Sequence, residues 1–177
     1  MRRQIFILLC CALLLFICAG CTRNAPTETA NTAAPATPAA KPPPAQIVRA
    51  SADAVTINAG GTTDARVRLQ IADGYHVNAN PASFSYLIAT ELQSTPAHGL
   101  NAGQPVYPAP VTKKFQFAPQ PLAVYEHEAL LKLPLRAAAD APKGAQSLPA
   151  QVRVQACDEE KCFPPTTVKT EISVTIN

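Results

Sequence analysis

The sequence predicts an all-β fold, an antiparallel β-sandwich, for residues 47–177, and three observations support this class. Apolar and polar residues alternate with a period of two in several segments, as they do in half-buried strands. Turn signals, among them Gly60-Gly61 and Asp73-Gly74, separate these segments. No apolar stripe with helical spacing accompanies them. About seven short strands divided by such turns are typical of a sandwich of two packed sheets.

Four segments show the alternation clearly, and three shorter runs show it weakly. The clear segments are residues 66–71, 131–136, 151–156 and 168–176, and the weak ones are residues 54–57, 86–92 and 122–125. Continuing the alternation of Gln151, Arg153 and Gln155 puts Cys157 on the polar face at the end of a strand. Cys162 returns after a short turn, just before the last strand. We therefore expect both sulfurs at an exposed junction between strands.

The N-terminus has the layout of a bacterial export signal. A short basic region, Met1-Arg2-Arg3, precedes a nearly unbroken apolar run from position 5 to position 20, which is shorter than the roughly 20 residues of a spanning helix. The run ends in Cys18-Ala19-Gly20-Cys21, which resembles the lipobox of bacterial lipoproteins, although Cys18 stands where Leu is usual. We therefore predict a lipoprotein signal peptide at residues 1–20 and lipidation of Cys21. An ordinary secretory signal cleaved nearby is the alternative.

The next segment, residues 21–46, is rich in Ala, Thr and Pro and contains three consecutive prolines at positions 42–44. Such a composition cannot build a core and favours extended, polyproline-like chain. We predict a disordered tether here and a folded domain at residues 47–177. The lipid would hold this domain on the periplasmic side of a bacterial membrane. Thr22, the residue after the predicted lipidation site, does not resemble the usual inner-membrane retention signal. This difference favours anchoring in the outer membrane.

The distribution of charge excludes one class of partner. The formal net charge is +3, but all of the excess lies in residues 1–46, because acidic and basic side chains are equal in number over residues 47–177. Without a polybasic run, this region lacks the electrostatic footprint of a nucleic-acid-binding protein. We therefore expect no nucleic-acid partner.

Counting cysteines isolates one pair. Of the six cysteines, three lie in the predicted signal peptide and Cys21 is the predicted lipidation site, which leaves Cys157 and Cys162. Exported proteins enter an oxidising compartment, so we expect this pair of thiols, which are close in sequence, to form a disulfide at least part of the time. An acidic stretch, Asp158-Glu159-Glu160-Lys161, lies between them, and Phe163-Pro164-Pro165 follows. If the chain carries out chemistry, Cys157 and Cys162 are the candidate reactive groups.

Three interpretations of this cysteine pair are weaker than a redox relay, in which the pair passes electrons from one partner protein to another. A structural staple across so short a loop would contribute roughly 2 kcal/mol, less than a long-range bridge. A zinc site needs four ligands, but the histidines that could complete it, His76, His98 and His127, are scattered along the sequence. Positions at the surface or in turns explain these histidines better. We therefore expect no metal and no cofactor. An independent thioredoxin-like nucleophile needs a Cys-x-x-Cys pair at a helix N-terminus, which neither the spacing nor the acidic context provides.

A relay fits the pair best. In a relay, the thiol of a reducing partner attacks the disulfide, and the resulting dithiol later reduces an oxidised client through a mixed disulfide. A shielded cysteine pair in an acidic loop suits a relay that must not react with thiols other than those of its partners. A non-catalytic binding or assembly module with a structural disulfide is the alternative. The reduction potential distinguishes the two, at roughly −120 to −270 mV for a relay and below about −300 mV for a structural bridge.

Several motifs carry a resemblance to a known family. The most specific is Gln155-Ala156-Cys157 through Cys162-Phe163-Pro164-Pro165. The supporting motifs are Asp73-Gly74-Tyr75-His76-Val77-Asn78, Tyr86-Leu87-Ile88-Ala89-Thr90-Glu91-Leu92, Val106-Tyr107-Pro108 and Leu133-Pro134-Leu135. Together, over residues 47–177, they resemble the N-terminal periplasmic domain of the thiol:disulfide interchange protein DsbD.

The resemblance implies an immunoglobulin-like fold and a specific route for electrons. The cysteine pair would receive them from a membrane electron-transporting thiol-disulfide protein and pass them to periplasmic thioredoxin-like or disulfide-isomerase clients. In this family an aromatic cap loop shields the disulfide. The candidate here, which we call the cap segment, is residues 113–125, with Phe115 or Phe117 as the shielding ring and ordinary core positions as the alternative. Because the sequence ends at Asn177 without the family's membrane and thioredoxin-like domains, we expect a stand-alone lipoprotein that borrows both or has kept only the binding surface.

Overall fold

The computed structural model describes residues 47–96 and 99–177, in which every regular element is a β-strand. The strands are β1 (Val48–Ala52), β2 (Val55–Ile57), β3 (Thr62–Ile71), β4 (His76–Asn78), β5 (Glu91–Ser94), β6 (Leu100–Ala102), β7 (Val111–Lys113), β8 (Leu122–Glu126), β9 (Glu128–Ala137), β10 (Gly144–Val154), β11 (Ala156–Cys157) and β12 (Thr166–Ile176). The predicted signal peptide, Cys21, the predicted tether and His98 lie outside the described residues. Within the described ranges, no helix could span a membrane.

Two four-stranded sheets form the sandwich. The first sheet has the order β1-β3-β9-β6, with antiparallel pairing throughout. The second sheet has the order β2-β12-β10-β5. Its longest pair, β10 and β12, runs antiparallel from Gly144 opposite Ile176 to Val154 opposite Thr166, and the short β2 joins β12 in parallel.

Strict alternation selects the side chains that fill the space between these two sheets. The buried aliphatic residues of the long strands include Val67 and Leu69 in β3, Leu131 and Leu133 in β9, Leu148 and Val152 in β10, and Ile172 and Val174 in β12. Each such side chain stabilises the fold by about 1.5–3 kcal/mol when fully buried. The predicted class, an all-β, immunoglobulin-like antiparallel sandwich, is confirmed.

A third sheet, with the order β11-β4-β8-β7, contains Cys157 as the last residue of β11. Its central strand β4 pairs antiparallel with β11 on one side and with β8 on the other. All three residues of β4 are buried, so both of its faces are covered. A strand covered on both faces shows no polar alternation, and therefore the sequence did not reveal it.

The strand predictions that rested on the weakest sequence signals differ most from the structure. The run at residues 86–92 is not a strand over most of its length, since β5 begins only at Glu91 and Tyr86 lies in a turn with 65% of its surface exposed. The strands β4, β6 and β7 were missed because each has three residues. Three residues are too few for a period of two to be recognised.

Candidate functional site

Cys157 and Cys162 form a disulfide at the edge of the third sheet, with 2.04 Å between their sulfur atoms. Cys157 ends β11, and the residues enclosed by the two cysteines form a tight turn that we call the cysteine loop. The carboxylate of Asp158 fixes this turn, because its Oδ1 accepts hydrogen bonds from the backbone N–H of Glu160 at 2.8 Å and of Lys161 at 2.9 Å. Such side-chain acceptors hold tight turns in the absence of regular structure.

The two sulfurs differ in exposure, and the expectation that both lie at an exposed junction is wrong for one of them. Cys157 is 0% exposed, whereas Cys162 is partly exposed. The alternation that placed Cys157 on the polar face ends at Val154, where β10 stops. After Gln155 the chain enters β11, which pairs with β4 in a different sheet. Cys157 therefore has new neighbours that the pattern of β10 cannot predict.

A buried amide network fixes this change of sheet. Gln155 Oε1 accepts hydrogen bonds from Asn78 Nδ2 at 3.1 Å and from the backbone N–H of Ile88 at 3.0 Å. Gln155 Nε2 donates to the carbonyl oxygen of Phe163 at 3.3 Å. Asn78 is fully buried, and its Nδ2 also donates to the carbonyl oxygen of Ile88 at 3.1 Å. Buried polar contacts of this kind favour one arrangement of the chain, so they hold β4 and the two ends of the cysteine loop in register.

His76 lies at the centre of the third sheet, between two residues that are distant in sequence. In the antiparallel register it stands directly opposite Cys157 on β11 and directly opposite Glu126 on β8. Directly opposed residues of antiparallel strands project from the same face, with Cβ atoms about 5 Å apart. Cys157, His76 and Glu126 therefore form one row across the sheet, which we call the cysteine–histidine row.

The imidazole of His76 is 1% exposed, so the expectation that the histidines occupy surface or turn positions is wrong for this residue. Phe115 stacks on it, with 4.0 Å between ring centroids, and among the described residues Nε2 has no hydrogen-bond partner. Burial lowers the pKa of His76 from 6.5 to about 4, against the opposing charge of Glu126, so the ring is neutral at neutral pH. His127, in contrast, is exposed, and its Nδ1 lies 3.3 Å from Asp73 Oδ1.

Both candidate cap rings lie beside this row. Phe115 is 2% exposed and packs with Leu122 and Val124 in a small cluster separate from the main core. Phe117 is 36% exposed, and its ring stacks on that of Phe115 with 5.3 Å between centroids. The three rings thus form a stack that leads from the buried His76 through Phe115 to the half-exposed Phe117.

Lys113, the last residue of β7, connects the cap segment to the cysteine loop. Its Nζ lies 2.8 Å from Glu126 Oε1 and 2.9 Å from Glu159 Oε1, and 5.4 Å from the centroid of the Phe115 ring. The hydrogen bond to Glu126, followed by the one to Glu159, raises the pKa of Lys113, so the ammonium group keeps its charge at neutral pH. One cation therefore bridges a carboxylate of the row and a carboxylate of the cysteine loop.

The sequence indicated the cysteines and the rings but not the residues that join them. Glu126 and Lys113 meet because of the antiparallel pairing of β7 with β8, which no local pattern encodes. His76 had one signal, its place in a supporting motif directly after the Asp73-Gly74 turn. Among residues 47–96 and 99–177, no group of three or more His, Cys, Asp or Glu side chains is arranged to hold a metal ion.

Comparison with known proteins finds one family model and several solved structures that are similar to this chain. The family model described as thiol:disulfide interchange protein DsbD, N-terminal, matches residues 44–173. A crystal structure of the DsbD N-terminal domain from Neisseria meningitidis in the reduced form is 25% identical, covers 75% of this chain and 90% of that chain, and has a TM-score of 0.49. The N-terminal periplasmic domain of ScsB from Proteus mirabilis is 16% identical, covers 71% of this chain and 44% of that chain, and also has a TM-score of 0.49. Among curated proteins no match was found.

The family match includes every element that builds the site. It contains β4 with His76, the cap segment, both cysteines and most of β12. It extends over most of the 177 residues. The chain therefore belongs to the family of the N-terminal domain of the thiol:disulfide interchange protein DsbD.

Proposed function

We propose that this chain is a periplasmic thiol–disulfide relay that acts through Cys157 and Cys162. It receives reducing equivalents from a membrane electron-transporting thiol-disulfide protein and passes them to periplasmic thioredoxin-like or disulfide-isomerase clients. The observation that carries the proposal is a disulfide with one buried and one partly exposed sulfur. Membership of the DsbD N-terminal family supports it independently.

The difference in exposure indicates Cys162 as the sulfur that a partner attacks. An incoming thiolate forms a bond to Cys162 Sγ, the bond between the two cysteines breaks, and its electron pair stays on Cys157 Sγ. The second thiol of the partner then attacks the partner sulfur of the mixed disulfide, which leaves an oxidised partner and a reduced cysteine pair. Reduction of a client follows the same steps in reverse. Each complete exchange transfers two electrons and two protons, first from the reducing partner to the cysteine pair and then from the cysteine pair to the client.

A purely structural role suits this disulfide less well, because hydrogen bonds already close the loop. The backbone N–H of Asp158 donates to the carbonyl oxygen of Lys161 at 2.9 Å, and that of Phe163 donates to Ala156 at 2.8 Å. A bridge across so short a loop adds only roughly 2 kcal/mol in the chain-entropy model. The alternative, a non-catalytic binding or assembly module, predicts that partner thiols do not exchange with this pair.

We assign the selectivity of the relay to the cap segment. Phe115 covers His76, Phe117 covers Phe115, and Lys113 pairs with Glu159 in the cysteine loop. In this proposal the cap segment limits the access of small thiols to the disulfide, whereas a docking protein can displace the half-exposed Phe117 and separate the ion pair. Access then selects the partner, because exchange depends on which sulfur can be reached as well as on thiol reactivity.

Removing each ring separately tests the cap. Phe117→Ala and Phe115→Leu should both speed reduction of the disulfide by glutathione-sized thiols, and only the Phe115 variant should also lose stability, since only that ring is buried. Val106→Ala is the matched control, because Val106 is 54% exposed and pairs with Lys132 of the first sheet. If neither ring variant is reduced faster than this control, the cap assignment is wrong.

Lipid anchoring at Cys21 completes the proposal. A lipidated Cys21 and an extended tether over residues 21–46 would hold the folded region on the periplasmic side of the membrane with reach toward its partners. Cys21→Ala should abolish labelling by a fatty-acid probe and release the protein into the soluble periplasmic fraction. An unlabelled, soluble wild-type protein would contradict the anchor.

Mixed-disulfide trapping tests the relay itself. In a Cys157→Ser variant the thiol of Cys162 can attack an oxidised client, but no second thiol resolves the product, so mixed disulfides should accumulate. The Cys162→Ser variant is the matched control and should trap far less, because its remaining thiol is buried. The trapped partners are identified by mass spectrometry after non-reducing electrophoresis. Failure of both variants to trap any oxidised thioredoxin-like protein would contradict the proposed function.

A further inference from the structure

The cysteine–histidine row contains a buried group that sulfur exchange alone does not require. His76 is 1% exposed, and its Nε2 has no hydrogen-bond partner in the part of the chain that the structure describes. Leaving a buried polar atom unpaired is unfavourable, and native structures usually provide a partner. Cys157 stands directly opposite His76 in the register, so the two side chains share one face of the sheet. In the oxidised protein the sulfur of Cys157 is bonded to Cys162 and carries no proton.

We propose that His76 is the hydrogen-bond partner of the Cys157 sulfur whenever the disulfide is open. This inference deepens the proposed relay and rests on it. It assigns to His76 a direct role at one of the two sulfurs, namely stabilisation of the sulfur that leaves when a partner attacks Cys162. The unpaired Nε2 of the oxidised protein then gains its partner in the mixed disulfide and in the reduced protein.

The exchange balances with His76 in this role. When the partner thiolate bonds to Cys162 Sγ, the electron pair of the broken bond remains on Cys157 Sγ. The neutral imidazole, with its proton on Nε2, donates a hydrogen bond to this thiolate. The second thiol of the partner gives its proton to Cys157 as it attacks the mixed disulfide, and the departing Cys162 thiolate takes a proton from water. His76 therefore ends the cycle with the proton it had at the start.

The charges around the imidazole explain why such a donor is needed. Glu126 faces it from β8, Lys113 from β7, and Asp158 and Glu159 from the cysteine loop. Three carboxylates and one ammonium group give a net negative surrounding, which disfavours a thiolate, as does burial. A hydrogen bond to the charged form has the opposite effect. The imidazole is the polar group opposite the buried sulfur in the register and can supply that bond.

The pKa of the Cys157 thiol measures the proposed contact. It is obtained from the pH dependence of the carbon NMR shift of Cys157 Cβ in a Cys162→Ser background, a measurement that does not require a reagent to reach the buried sulfur. His76→Phe should raise this pKa by about one unit, which lowers the thiolate fraction at neutral pH roughly tenfold, and His76→Gln should fall between because it keeps a polar end group. The matched control is His127→Asn, at an exposed histidine with φ of 58°, a conformation that Asn tolerates. An identical titration curve of Cys157 for His76→Phe and this control would overturn the proposal.

The wild-type protein offers a second measurement that needs no substitution. The nitrogen chemical shift of His76 Nε2 should change when the disulfide is reduced, while the shifts of His127 should not. Identical His76 shifts in the oxidised and reduced proteins would overturn the proposal even if the variants do not fold. Neither measurement involves a redox partner. Their failure would leave the relay standing, whereas failure of the relay appears as the absence of mixed disulfides at Cys162.

Discussion

The sandwich of the first two sheets and the third sheet follow different rules of construction. Along β9 and β12, buried residues alternate with more exposed ones, and the buried ones are aliphatic. In the third sheet, every residue of β4 and β11 is buried, and three of these, His76, Asn78 and Cys157, carry polar or reactive groups. The first region gains stability from each buried side chain, whereas the third sheet buries groups that are costly to remove from water.

The candidate redox site lies where the alternation of buried and exposed residues fails. The buried positions of β9 and β12 are filled by aliphatic side chains, so neither strand buries a titratable group. β4 has a second cover, since Phe115 of the cap segment stacks on His76, and this allows an imidazole to be buried opposite a cysteine. Substitutions in the sandwich should therefore change stability alone, and substitutions around β4 should change reactivity.

Leu131→Ala should have the largest effect on stability and no effect on reactivity. Leu131 is fully buried in β9, and truncating such a residue costs about 2–5 kcal/mol of unfolding free energy. Denaturant unfolding measures this loss, and the rate of disulfide reduction in native buffer should equal that of wild type. Lys132→Ala, at the exposed neighbouring position, is the control. A changed reduction rate in Leu131→Ala would break the separation of the two regions.

Acid should destabilise the protein through His76. Its pKa is about 4 in the folded state and 6.5 in the unfolded state, so the unfolded state binds more protons between these values and stability falls as the pH is lowered from about 6.5 to about 4. The full shift corresponds to about 3 kcal/mol. Urea unfolding at several pH values should show this loss in wild type and a flatter profile in His76→Gln. Equal slopes for both proteins would contradict the burial of a neutral imidazole.

The Cys157→Ser/Cys162→Ser double variant should fold and lose about 2 kcal/mol or less. The bridge closes a sequence separation of five residues, and the surrounding hydrogen bonds remain. Thermal unfolding of this variant beside reduced wild type separates the effect of the bond from that of the serine hydroxyls. A variant that is unfolded at room temperature would show that the disulfide is a structural staple.

Lys113→Met should have the smallest effect on stability and a measurable effect on the access of small thiols to the disulfide. An ion pair with a partly exposed lysine contributes about 1 kcal/mol or less, but this one joins the cap segment to Glu159. In wild type, reduction by a neutral small thiol should speed up as added salt screens the pair. In the variant it should be fast and independent of salt. Lys143→Met, at an exposed lysine before β10, should keep the wild-type salt dependence.

The sequence was sufficient for the sandwich, because each long strand carries its own pattern of burial. Val67 and Leu69, or Ile172 and Val174, are buried for a reason visible within their own segments. The residues of the candidate site could also be named from the sequence, since the two cysteines stand out by type and spacing and the resemblance to the DsbD N-terminal family pointed to Phe115 and Phe117.

The spatial arrangement of the site residues could not be predicted from local sequence patterns. The burial of Cys157 depends on the break at Gln155, and that break depends on a hydrogen bond to Asn78 across 77 positions of sequence. The burial of His76 depends on Phe115, which arrives from a segment with no strand pattern of its own. Contacts of this kind are set by pairing between distant strands, and local periodicity carries no information about them.

The reduction potential of the Cys157–Cys162 disulfide tests the central claim most directly. It is measured by equilibrating the protein with a thiol–disulfide buffer of known potential and quantifying the oxidised fraction. A relay must accept electrons from its donor and pass them on to its thioredoxin-like or disulfide-isomerase clients, so we predict a value of roughly −120 to −270 mV. A value below about −300 mV would mark a structural disulfide and contradict the account.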